Sequence, residues 1–166
     1  MKPHPWLRIR ANGTPVPQGS KRVWLDDRTG KIQMAEDQGE RHASWRREVT
    51  AAATEALWRA EVQEPTAQPV SVLVTFLVIR GVGHYGTGRN AEQLKPGAPA
   101  YPHKKPDLDK LVRSVFDSLT DARVWIDDAQ VVAFTARKRF IDRHGTEPPG
   151  VEIVVGILPD QEGAIA

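Results

Sequence analysis

The clearest hydrophobic pattern in the chain runs from residue 105 to 120, Lys-Pro-Asp-Leu-Asp-Lys-Leu-Val-Arg-Ser-Val-Phe-Asp-Ser-Leu-Thr. Leu108, Leu111, Val112, Val115, Phe116 and Leu119 recur at the spacing that predicts a helix with one buried stripe. Pro106 disfavours helix at Lys105, and Asp107 is placed to cap the first turn. Asp109 and Arg113 then fall one turn apart on the exposed flank. Trp45, Val49, Ala52, Ala53, Ala56, Leu57 and Ala60 form a second stripe, predicting a longer helix over 41–61 with Arg46, Arg47, Glu55 and Arg59 outward. Trp45 and Trp58 read as packing residues, in the core or between copies of the chain.

The strand signals are shorter. Residues 6–10 alternate apolar with basic, and Asn12-Gly13 is a turn. Residues 23–35 read as a hairpin around Asp27-Arg-Thr-Gly30. Residues 70–79 are nearly all β-branched or aromatic: Val70, Val72, Val74, Phe76 and Val78 line one face, Leu73, Leu77 and Ile79 the other. That predicts a central strand covered on both sides. Residues 124–141 read as a strand whose apolar contacts include Trp125, Val132, Phe134 and Ala136, and 151–158 as the last strand. The order predicts an α+β fold, a mixed β-sheet with two main helices packed on it, in a single domain over 1–166. Residues 80–106 break the pattern, with five glycines, four prolines and no hydrophobic period. A loop of that length is expected to be flexible or functional. Residues 159–166 read as a frayed terminus.

Composition adds exclusions. With 40% hydrophobic and 27% charged residues the chain is globular in character, and with no cysteine it has neither disulfides nor a thiolate metal site. No apolar run approaches the ~20 residues of a membrane span, so a soluble, cytoplasmic protein without a membrane partner is expected. The net charge of +2 is too small to argue for a polyanionic partner. Its distribution says more. Residues 80–106 carry Arg80, Arg89, Lys95, Lys104 and Lys105 against Glu92 alone, and Arg137, Lys138, Arg139 and Arg143 cluster at a strand end. A basic loop suits a polyanion, although a solvated insertion has the same composition. Tyr85 and Tyr101 are candidates for stacking on bases.

The chemistry lies in two acidic pairs, Asp107 with Asp109 at the helix start and Asp127 with Asp128 in Val124-Trp-Ile-Asp-Asp-Ala-Gln-Val131. A helix start and a strand start can bring these four together. Two carboxylates about 4 Å apart repel by roughly 4 kcal/mol at an effective dielectric of 20, so a cluster of them calls for a cation. Oxygen ligands without nearby histidine or cysteine favour Mg²⁺, with Mn²⁺ as a substitute. The plainer reading is a helix cap and a turn.

Pro-Asp-Leu-Asp-Lys-Leu, then Phe-Asp-Ser-Leu-Thr, then Val-Trp-Ile-Asp-Asp-Ala-Gln-Val resembles the signature of RusA-type Holliday junction resolvases. The specific match spans about residues 105–132. These are small, homodimeric, Mg²⁺-dependent endodeoxyribonucleases common in bacteriophage and prophage genomes. The resemblance implies resolution of four-way DNA junctions by paired phosphodiester hydrolysis, in recombination and repair. It implies Asp107, Asp109 and Asp128 as metal-binding carboxylates, with Asp127 orienting the turn. Where relatives often carry a catalytic lysine, this chain has Arg113, which can hold a phosphate bidentately but cannot donate a proton; the role of neighbouring Lys110 is left open by that change. Lys21 and Arg22 follow a Pro-x-Pro-x-Gly segment like that of many relatives, and with Lys104, Lys105, Lys110, Arg137, Lys138 and Arg139 they are candidate DNA contacts. Two alternatives stay open: a junction-binding protein without activity, and a metal-dependent phosphohydrolase on other nucleic-acid substrates.

Overall fold

The computed structural model describes residues 4–19, 21–36 and 39–158. In chain order they form β1 (His4–Asn12), β2 (Lys21–Leu25), β3 (Ile32–Glu36), α1 (Gly39–Arg59), β4 (Val70–Ile79), α2 (Leu108–Asp121), β5 (Val131–Ile141) and β6 (Gly150–Ile157). The main sheet has the order β1-β6-β4-β5, and β2 with β3 forms a separate two-stranded ribbon. β6 is antiparallel to both β1 and β4, whereas β5 is parallel to β4. A parallel step needs a crossover; residues 80–106 and α2 supply it. The result is the expected α+β arrangement, a mixed sheet carrying two helices.

The core follows from the two helical stripes. Leu111, Val115 and Leu119 of α2 are fully buried, and Trp45, Val49, Ala53 and Leu57 of α1, spaced by four, are buried with them. They share one cluster with Val70, Val72, Val74 and Phe76, the alternate residues of β4. The opposite face of β4 departs from expectation. Leu77 is buried there, but Leu73 and Ile79 are 41% and 44% exposed. Strands read as covered on both faces belong to sheets with helices on each side, and here the helices form one layer. Trp58 is 78% exposed and is not part of the core. Gly150 is required where β6 meets β1: its φ is +157, and a Cβ there would stand 2.0 Å from the Ala11 carbonyl oxygen.

Residues 80–106 are tied to the sheet at several points. Tyr85, 3% exposed, donates its hydroxyl proton to Asp142 at 2.8 Å and accepts the Arg143 backbone N–H at 3.0 Å. It is therefore an anchor and not the base-stacking group the sequence offered. Arg80 donates to the Pro99 carbonyl at 2.7 Å and lies 4.2 Å over the Phe140 ring. The Asp142 carboxyl is held below its ordinary range, first by the backbone N–H of His144 and then by the Tyr85 hydroxyl. A depressed folded value means the tie is present above the unfolded value and lost only as pH falls through the folded one. The segment should stay docked through the usual carboxylate range and loosen below it. Tyr85→Phe should move that release to higher pH in amide hydrogen exchange; an unmoved release would exclude Asp142 as the tie.

Candidate active site

The acidic pairs sit on two short stretches of backbone whose capping differs. Asp107 occupies the N-cap position of α2, yet its side chain makes no capping hydrogen bond. Its carboxylate lies 3.3 Å from Lys110 Nζ, one turn on. The expectation that Asp107 caps the helix through its side chain is thus corrected, because Lys110 draws the carboxylate away from the first-turn N–H groups. Asp109, in the first turn, and Arg113, one turn later, are both exposed. Asp107, Lys105 and Lys110 line a cleft of about 400 Å³ together with Arg41 and residues 14–19. Lys138 fixes this end of the helix by donating to the carbonyls of Lys104 and Pro106, each at 2.8 Å.

The second pair is built differently. β5 begins at Val131, not at 124, because residues 128–130 form a 3₁₀ turn. Asp127 caps it, accepting the Ala129 N–H at 2.8 Å, while Gln130 Oε1 accepts the N–H groups of Ile126 and Asp127 at 2.9 and 3.0 Å. Gln130 Nε2 donates to the carbonyls of Thr66 and Gln68, which locks the turn to the start of β4. Asp127 orients the turn, as its place beside Asp128 suggests. Asp128 is exposed and uncommitted to the cap. Trp125, 1% exposed, anchors the stretch from below, donating Nε1–H to Thr120 Oγ1 at 2.8 Å and meeting the Phe116 ring edge-on at 5.8 Å.

These anchors separate the pairs. The start of α2 is pinned to Lys138, late in β5, and its end is pinned to Trp125, before β5. The helix from Asp109 to Thr120 is about 16 Å long at 1.5 Å per residue. Among the described residues, no group of three or more His, Asp or Glu side chains could hold a metal ion together. One chain alone does not bring Asp107 and Asp109 to Asp128. The donor chemistry suits a hard cation, but within one chain the geometry does not.

Comparison with known proteins matches this chain, over residues 12–156, to the family described as endodeoxyribonuclease RusA. The chain belongs to that family. Proteins named crossover junction endodeoxyribonuclease RusA from Escherichia coli (strain K12) and Shigella sonnei (strain Ss046) are each 43% identical over 42 residues, which is 25% of this chain and 35% of theirs. The chain thus spans about a third of the length of these curated relatives.

Of the basic residues of this RusA-family chain, Lys104 and Lys105 are exposed. Lys110 pairs with Asp107, and Lys138 is spent on backbone carbonyls. Arg137 donates to Thr75 Oγ1 at 3.0 Å, and Arg139 forks onto Glu147, which holds the Glu147 carboxyl below its usual range. The side chains of Lys21 and Arg22 lie outside the described residues. Two positioning residues escaped the sequence reading. Gln130 was recoverable from the Asp-x-x-Gln spacing of a capping box; the clamping role of Lys138 has no sequence signal.

Proposed function

We propose that this chain is a structure-selective endodeoxyribonuclease that resolves four-way DNA junctions, with Mg²⁺ as cofactor and Mn²⁺ as a substitute. Membership of the RusA family is the observation that carries the reading. Asp107, Asp109 and Asp128 would hold the ion, which when bound supplies an activated water and charge stabilisation for phosphodiester hydrolysis. Arg113, exposed one turn beyond Asp109, offers a two-pronged donor to the phosphate.

The separation of the acidic pairs supports a homodimer in which each site draws on both copies. β5 is an edge strand whose outer side is unpaired in the described sheet, and Val132, Phe134 and nearby Ile126 are 61%, 57% and 63% exposed. An unpaired edge is a template for another strand. Two β5 edges related by a two-fold axis run antiparallel. The start of β5 in one copy then lies beside the end of β5 in the other, where Lys138 holds the start of α2. Asp128 of one copy approaches Asp107 and Asp109 of its partner. Two such sites related by the two-fold suit paired nicks in a junction of matching symmetry.

The test is cleavage of a synthetic four-way junction and of a linear duplex of the same sequence in Mg²⁺. Paired nicks confined to the junction are expected. Equal cutting of both would favour a general phosphohydrolase, and binding without cutting in either Mg²⁺ or Mn²⁺ would favour an inactive DNA-binding protein. Arg113→Lys should keep or raise the rate, since an amine can also donate protons. A loss of more than about a hundredfold, roughly 2.7 kcal/mol of barrier, would show that the guanidinium fork is specifically required.

A further inference from the structure

Residues 80–106 leave a cavity of about 170 Å³ beside the ends of β4 and β5, walled by Ile79, His84, Pro99, Tyr101 and Phe140. Its size is that of one flat ring: an apolar cavity of about 150 Å³ takes benzene. The walls are held in place. The His84 and Phe140 rings meet edge-on at 5.3 Å, and the Arg80 guanidinium covers Phe140.

The position is as informative as the lining. Lys104 and Lys105 border this cavity, and Lys105 also lines the cleft that holds Asp107. Tyr101 is 76% exposed although it forms a wall, so one aromatic face is open to solvent beside two cations. An apolar slot for a ring and cations at the rim form a complementary set for one nucleotide.

We propose that this cavity receives a single unstacked nucleobase from the DNA strand that passes Asp107. Tyr101 stacks on the base, and Lys104 and Lys105 neutralise the adjoining phosphates. The inference rests on the nuclease reading above and extends it to what the loop recognises. Unstacking is least costly where pairing is already interrupted, as at a branch point.

The experiment measures junction affinity in EDTA, so that cleavage plays no part. Tyr101→Ala should weaken binding to an intact junction by about tenfold, from the usual worth of a base stacked on an aromatic ring. An abasic residue at one position near the exchange point should produce a similar loss, and the two losses should not add. Ile79→Trp, at a half-exposed site that tolerates a larger side chain, should fill the cavity and reproduce both effects. If the variant and abasic losses add at every position, the cavity does not receive a base, and the nuclease reading stands. If the parent does not cut four-way junctions in Mg²⁺ or Mn²⁺, the nuclease reading fails, and this inference with it.

Discussion

Replacing Asp107, Asp109 or Asp128 singly by asparagine should give folded proteins that still bind four-way junctions and no longer cut them. The fold has little to lose. Asp107 makes no side-chain cap bond, Asp109 is exposed, and Asp128 lies outside the cap that Asp127 and Gln130 complete. Each change removes a negative charge from a surface that DNA phosphate approaches, so junction affinity should hold or rise. Cleavage should fall about a thousandfold or more, some 4 kcal/mol of barrier, because these carboxylates would hold the ion that activates water. Melting temperature and junction affinity measured beside the rate separate this from misfolding. Near-parental rates in all three variants would reduce the acidic stretches to caps and turns.

Trp125→Ala should produce the largest loss of stability among the residues that carry the site. The indole is buried between Phe116 and the end of α2, and its N–H satisfies Thr120. Truncating a buried aromatic of this kind costs about 3–5 kcal/mol, a large share of the 5–15 kcal/mol that holds a typical domain folded. In a chain of this size the melting point should drop on the order of 10 °C. Gln130→Ala should cost less stability but should free the Asp127–Asp128 turn from Thr66 and Gln68, and cleavage should fall with it. A Trp125→Ala protein that melts with the parent would mean the turn is held by other contacts.

Periodicity shows which face of an element is buried, and in this chain it did so for the two helical stripes and for one face of β4. The stripe from Leu108 to Leu119 becomes the buried face of α2, and the residues of β4 agree with their strand to the last one. It failed at Val124-Trp125-Ile126, whose strand-like composition hides a capped turn, because Asp127 and Gln130 offer the backbone a better partner than a neighbouring strand. It also missed the separation of the acidic pairs. A helix that crosses between two parallel strands must run against both of them. Residues just before α2 and just before β5 therefore lie at opposite ends of the helix. Recognising β4 and β5 as parallel would have been enough to foresee this. Lys138 shows the opposite limit, since no pattern of residues reveals that a strand cation will turn toward the carbonyls of Lys104 and Pro106.

Mixed dimers test most directly whether each active site is shared between two copies. Asp109→Asn and Asp128→Asn chains, each inactive alone, are to be mixed, allowed to exchange subunits, and assayed on a four-way junction in Mg²⁺. If the sites are shared, one site of the mixed dimer collects both defects and the other collects none. Nicking of one strand per junction should then reappear on mixing, up to about half the parental rate per dimer when all dimers are mixed. Mixtures that undergo exchange, verified by distinct tags on the two chains, and remain as inactive as their components would place the whole acidic set within one chain and contradict the account.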